Sequence, residues 1–138
     1  MKHHTKTFGD EGVLRAKLDL YKKGYDLCNP ETEHAPFDLV IYKDGRLLSV
    51  QVKARNVSKR GTVDVSFKSS WADRHGSHIK KVNKDLIDLY CVYCPQTELC
   101  YYFNPKDFKE SISIRVVPCK NNQTTNINWH EDFLEVPI

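Results

Sequence analysis

No apolar run in the chain approaches the ~20 residues that a membrane-crossing helix needs. Nor does the opening stretch, MKHHTKTFGDEG, hold the apolar segment of a secretory signal. These two absences predict a cytoplasmic protein with no membrane partner. Repeats, low-complexity tracts and a second hydrophobic unit are lacking as well. The 138 residues are therefore expected to form a single domain, 1–138, which at this length buries roughly two-thirds of its unfolded surface. The five cysteines, at 28, 91, 94, 100 and 119, are odd in number. Without an export signal, that count argues against a disulfide framework.

Acidic residues are scarce in one segment. Between Lys53 and Lys84 nine basic residues stand against two acids, Asp64 and Asp73, which sets this segment at +7 and the rest of the chain at −4 of a total of +3. A basic block on an otherwise mildly acidic domain suits a polyanionic partner, nucleic acid first among them. A solvated loop face accounts for the charge alone equally well.

Periodicity and turn residues divide the chain into one helix and a strand-rich remainder. Residues 9–23 read as a helix with acids near its start, Lys22 and Lys23 at its end, and Gly24 as its cap. Leu14, Leu18 and Tyr21, with Val13, are its expected apolar stripe. Residues 25–29 suit a short strand, and 30–36, with a proline at each end, a loop. An alternating strand at 37–43, the dipeptide Asp44-Gly45 and a returning strand at 46–55 form a hairpin, for which Asp-Gly is the strongest short-range signal. Beyond a polar link at 56–61, a third strand is expected at 62–68. A long surface loop at 69–83 follows, polar, basic and without a period. Strands at 86–94 and 99–103 flank a turn at 95–98, Asn104-Pro105 opens one helical turn, and 112–117 is a last strand. The tail from 121 is expected to be irregular, docked by Trp129 and Phe133. This order implies an α/β (α+β) domain built on one sheet.

The hairpin can be counted. With Asp44-Gly45 as its loop, facing residues sum to 89, so Asp38 lies opposite Gln51 with Cβ atoms about 4.5–5.5 Å apart on one face. Lys53, two residues on, projects from that same face, while Leu39, Ile41, Leu48, Val50 and Val52 point into a core. A carboxylate, a carboxamide and an ammonium thus meet at one end of the hairpin. A hard divalent cation, Mg2+ with Mn2+ as substitute, takes oxygen ligands. The side chains of Asp38 and Gln51 and the backbone carbonyl of Val52 offer them. Such an ion polarises a phosphoryl oxygen and lowers the pKa of a bound water. Lys53 would orient or deprotonate that water, or offset charge building on the phosphorane. Glu11, at the edge of the helix stripe, is a fourth candidate. The plainer reading makes Asp10 and Glu11 complements of the helix dipole, and Asp38 with Gln51 and Lys53 a surface hairpin carrying an ion pair.

Pro36-Phe37-Asp38, twelve residues, then Gln51-Val52-Lys53, after a helix bearing Glu11, resembles the PD-(D/E)xK nuclease superfamily. Residues 5–12, 37–55, Tyr93-Cys94-Pro95 before a second hairpin, and Asn121-Asn122-Gln123 before Trp129 and Asp132 resemble its group I intron-associated homing endonucleases. That branch carries glutamine where most relatives have Asp or Glu. The resemblance implies a restriction-endonuclease-like core, a mixed β-sheet flanked by helices. It also implies a catalytic set of Glu11, Asp38, Gln51 and Lys53, and a metal site of Glu11, Asp38, Gln51 and Val52. The motif's proline stands one place early, at Pro36, and Gln51, a neutral amide, binds Mg2+ more weakly than a carboxylate does. The implied activity is Mg2+-dependent, site-specific cleavage of double-stranded DNA by a homodimer or larger assembly, since two strands need two sites. DNA would meet Arg55, Lys59, Arg60 and Lys68 beside the hairpin and Arg74, His75, Lys80 and Lys81 on the long loop, with arginine the commoner base reader. Two other readings use the same residues: a Holliday-junction-resolvase-like nuclease, and a DNA-binding module that has lost catalysis at Gln51.

Other motifs carry less. Cys91 and Cys94, three apart on one strand, point to opposite faces and so do not converge on zinc. His75 and His78 sit on the expected loop, where DNA contact or plain exposure is favoured over metal ligation. Tyr90, Tyr93, Tyr101, Tyr102 and Phe103 divide between both faces of two strands and are read mostly as sheet packing, with a nucleotide-stacking platform as the lesser alternative.

Overall fold

The computed structural model describes residues 4–121 and 126–137. Helix α1 (His4–Lys22) begins earlier than the acids suggest, so its first turn holds no acid and Asp10 and Glu11 fall in the second. A first-turn dipole role for them therefore lapses. The helix is also rotated from the expected stripe. Its buried face is Gly12, Ala16 and Leu20, with Val13 partly covered. Leu14, Leu18 and Tyr21 stand 67%, 48% and 70% exposed. The reason is close approach. A Cβ placed on Gly12 would lie 2.9 Å from the Cβ of Ala54, so small residues occupy the contact and the bulky ones are left outside.

Strand β1 (Asp26–Cys28) leads into the counted hairpin, β2 (Leu39–Lys43) and β3 (Arg46–Ala54). Asp44 and Gly45 both take positive φ, 52° and 82°, the primed turn whose twist matches that of the strands. Leu39 faces Val50 and Lys43 faces Arg46, which is the register summing to 89. Strand β4 (Thr62–Ser66) then departs to a second sheet.

The expected loop at 69–83 is instead a hairpin, β5 (Lys68–Asp73) and β6 (Gly76–Lys81), paired from Lys68–Lys81 to Asp73–Gly76. Its turn is built by the Asp73 carboxylate, which accepts from the His75 N–H at 2.7 Å, and by Gly76 at φ 115°. Described residues on both of its faces are largely exposed and polar, so no alternation marks it in the sequence. The backbone N–H of Val82 donates to Phe67 at the hairpin's base.

Strands β7 (Leu89–Cys94) and β8 (Leu99–Phe103) complete the main sheet, ordered β1-β2-β3-β7-β8. Within it β3 and β7 run parallel and the other pairs antiparallel. Strand β9 (Ser111–Arg115) pairs with β4, and β10 (Asn128–Trp129) runs parallel to β9, so the tail is less irregular than expected. Helix α1 covers one face of the main sheet through Leu39, Ile41, Val50, Cys91, Tyr93 and Tyr102. The small β4-β9-β10 sheet covers the other, with Val63, Val65, Ile112 and Ile114 against Tyr90, Val92, Tyr101 and Phe103. The mixed sheet is thus flanked by one helix and one sheet, where helices were expected. Cys91 and Cys94 fall in opposite cores and are free thiols. Asn122 and Gln123 lie outside the described residues.

Candidate active site

Strand β2 leaves the ladder at Asp38. Its N–H bonds the Val50 carbonyl at 2.9 Å, one step off the register, and its side chain takes over where the backbone stops. Asp38 Oδ2 accepts from the Val52 N–H at 2.8 Å and from Gln51 Nε2 at 3.1 Å. A strand residue directs its N–H and C=O to the same side. The Val52 carbonyl therefore points past the end of β2, towards Asp38. Asp38 Oδ1, to which no donor is assigned among the described residues, and the Val52 carbonyl meet at this corner, whereas Gln51 turns its amide nitrogen to Asp38, so that its Oε1 would join them only with the amide flipped.

Lys53 follows on the same face. Burial raises the pKa of Asp38, opposed by the Val52 N–H and the charges of Lys53 and Lys17. Burial lowers that of Lys53, helped by the like charge of Arg55 and opposed by Asp38. Asp38 and Lys53 form no direct ion pair among the described residues, and neither is fully exposed. This is not a solvated surface pair. Arg55, half-buried beside Lys53, donates to the Ala54 carbonyl at 2.8 Å.

Glu11 is placed differently. Its carboxylate is 48% exposed and lies 3.9 Å from Arg15 Nε. It shares the outward side of α1 with Leu18 and makes no hydrogen bond to Asp38, Gln51 or Lys53 among the described residues. Tyr90 adds a group that sequence reading assigned to packing. It stands beside Gln51 across the parallel β3-β7 pair, and its Oη is buried without a hydrogen-bond partner among the described residues. An unsatisfied hydroxyl costs about 1–3 kcal/mol.

A sequence model described as PD-(D/E)XK endonuclease matches residues 3–136. The chain belongs to the PD-(D/E)XK endonuclease family. Membership makes it a nuclease with DNA as its substrate class; nucleases of this family generally use divalent metals. The structure of a bacterial homing endonuclease, I-Ssp6803I, matches with a TM-score of 0.75 at 20% identity, covering 94% of this chain and 90% of that one; the likeness is one of fold. No curated protein matches the sequence.

The donors of this PD-(D/E)XK endonuclease suit a hard divalent cation. No cluster of three or more His, Cys, Asp or Glu side chains forms among the described residues, so one carboxylate and two neutral oxygens would carry the ion at the Asp38 end. That set fits Mg2+ or Mn2+ and is a poor one for a soft metal.

The basic residues fall in three places. Lys59 and Arg60 line a cleft of about 670 Å³ together with Arg115 and Lys120 and no acid. Arg60 is 3.2 Å from Asp64, an exposed pair worth little and easily exchanged for a phosphate. Arg115 and Lys120 stand isolated in sequence, and only the pairing of β4 with β9 brings them here. On the β5-β6 hairpin, Lys68, Arg74, His75, Lys80 and Lys81 are exposed, with Lys81 4.0 Å from Glu110 and Arg74 Nε donating to His75 Nε2. Lys84 instead turns inward, donating to the carbonyls of Phe108 and Lys109. Among the described residues no helix is long and apolar enough to cross a membrane.

Proposed function

We propose that this endonuclease is a Mg2+-dependent, site-specific nuclease of double-stranded DNA, homing in type, that hydrolyses phosphodiester bonds at the Asp38 end of the β2-β3 hairpin. The observation that carries this reading is the convergence of Asp38, Gln51, the Val52 carbonyl and Lys53 on one half-buried face. A cation bound to the three oxygens, Mg2+ or in its place Mn2+, would polarise the phosphoryl group and acidify a water. Lys53 orients that water and offsets charge gathering on the phosphate oxygens. Its lowered pKa makes the proton easier to give up than in an exposed lysine. Gln51 keeps a second negative charge away from Asp38, at some loss of cation affinity. The family resemblance adds Glu11, but here its carboxylate is turned to Arg15 and solvent, so the reading rests on the other four groups. Duplex DNA would lie across the basic cleft and the β5-β6 hairpin.

Cutting both strands requires two sites, so the working form is proposed to be a homodimer or larger. The exposed stripe Leu14, Leu18 and Tyr21 supports this. Two-fold pairing of antiparallel α1 helices would bury the stripe against itself and set Asp10 of one copy towards Lys22 of the other.

The test is purified protein against supercoiled plasmid carrying a randomised target library, with Mg2+, with EDTA, and with Lys53→Ala. Nicking or linearisation that needs both metal and Lys53, with DNA binding by Lys53→Ala nearly intact, is the expected result. Equal loss of binding and cleavage would remove Lys53 from catalysis. Preference for branched junctions would favour a resolvase, and binding without scission in Mg2+ or Mn2+ a non-catalytic module.

A further inference from the structure

Tyr90 Oη is the only buried side-chain nitrogen or oxygen left without a hydrogen-bond partner among the described residues. Buried phenols nearly always find one, so the orphan needs a reason. Its place supplies it. Tyr90 rises beside Gln51 from the face that carries the proposed site. Its ring is stacked on Phe103, with centroids 5.4 Å apart and planes within 3°, and lies 5.2 Å from Phe67. These contacts fix the ring, and a phenylalanine would make them equally well. The oxygen is therefore not there for packing.

Charges on both sides of the site act on this hydroxyl. Arg55 pulls its pKa down and Asp38 pushes it up, and burial, the largest effect, brings it to about 12. It keeps its proton at any ordinary working pH and is therefore a donor.

We propose that Tyr90 is a catalytic residue of the nuclease site, its Oη–H donating to an oxygen that arrives with the loaded site. That oxygen belongs either to the phosphate or to the water carried by the cation. The assignment rests on the function proposed above. The hydroxyl is closed to bulk solvent, so no water competes for the bond. In this proposal the Arg55 side chain, close enough for its charge to act on the hydroxyl, moves aside when the cation or the phosphate arrives.

The experiment compares the wild-type chain with Tyr90→Phe on the target recovered from the library. Four quantities are read: single-turnover cleavage rate at saturating Mg2+, DNA affinity in Ca2+, Mg2+ affinity by calorimetry without DNA, and melting temperature. The variant should cut roughly a hundredfold more slowly, as when one donor to a developing anion is removed. Its DNA affinity should be unchanged and its melting temperature equal or higher. Weaker Mg2+ binding alongside the slower rate assigns the oxygen to the cation's water, and unaltered Mg2+ binding assigns it to the phosphate; both support the proposal. An unchanged rate overturns it. So does a lower melting temperature, which would mean that the hydroxyl already has a partner inside the fold. If the wild type itself never cuts, the nuclease reading fails and takes Tyr90 with it, whereas a wild type that cuts beside an equally fast variant removes Tyr90 alone.

Discussion

At the scale of single residues, Asp38 does two jobs that pull in opposite directions. As an acceptor it holds Val52 and Gln51; as a buried charge it is costly. Because burial raises its pKa above the ordinary 3.8, folding favours the protonated form. Its penalty therefore sets in as pH rises from 3.8 through the raised value and stays constant above it. Asp38→Asn retains an oxygen for the Val52 N–H and removes the charge. The variant should melt at or above the wild type at pH 7, the gap closing below pH ~3.8, while calorimetry shows no Mg2+ binding. A variant less stable at pH 7 and equal at pH 3 would make the ionised carboxylate a net stabiliser. Asp38, Gln51 and Lys53 could be placed together from sequence because a two-residue primed turn fixes a register that can be counted. Tyr90 could not, because β7 joins β3 in parallel through a long connection, and no turn sets that register.

At the scale of elements, two readings failed for different physical reasons. Leu14, Leu18 and Tyr21 look like a core stripe because hydropathy rewards bulk. The packing against β3 rewards smallness, and Gly12 and Ala16 take it. The β5-β6 hairpin was invisible because strands that are polar on both faces carry no alternation, and its turn is held by Asp73 with no Asn-Gly or Asp-Gly signal. A two-stranded ribbon is marginal alone, and this one carries exposed Lys80 and Lys81. If it embraces DNA, Lys80→Ala/Lys81→Ala should weaken binding and reduce the slope of log affinity against log salt by about two units, one for each phosphate no longer neutralised. An unaltered slope in a filter-binding series would move the DNA to another surface. The counted hairpin, β8 and the turn at Asn104-Pro105 were legible to within a residue or two, since each is set by local turn chemistry.

At the scale of the molecule, the mixed sheet and its α+β class follow from the order of elements, but the second layer does not. Sequence shows that β4 and β9 are strands; it does not show that they leave the main sheet to form one of their own. The remaining large-scale expectation is association. Leu14→Glu/Leu18→Glu alters only side chains on the exposed side of α1, so its melting temperature should hold. Sedimentation should show the mass falling to that of one chain, and supercoiled plasmid should be nicked without being linearised. Retained mass would place the proposed partner on a different face.

The carboxylate that completes the β3 edge also means that the Val52 N–H is satisfied from within the chain. The metal proposed to sit between Asp38, Gln51 and Val52 would then be a visitor to a strand end whose backbone bond is already made. On the proposed function, withdrawing it would disarm the protein reversibly and leave that bond standing, so that availability of the ion would set when the blade is live.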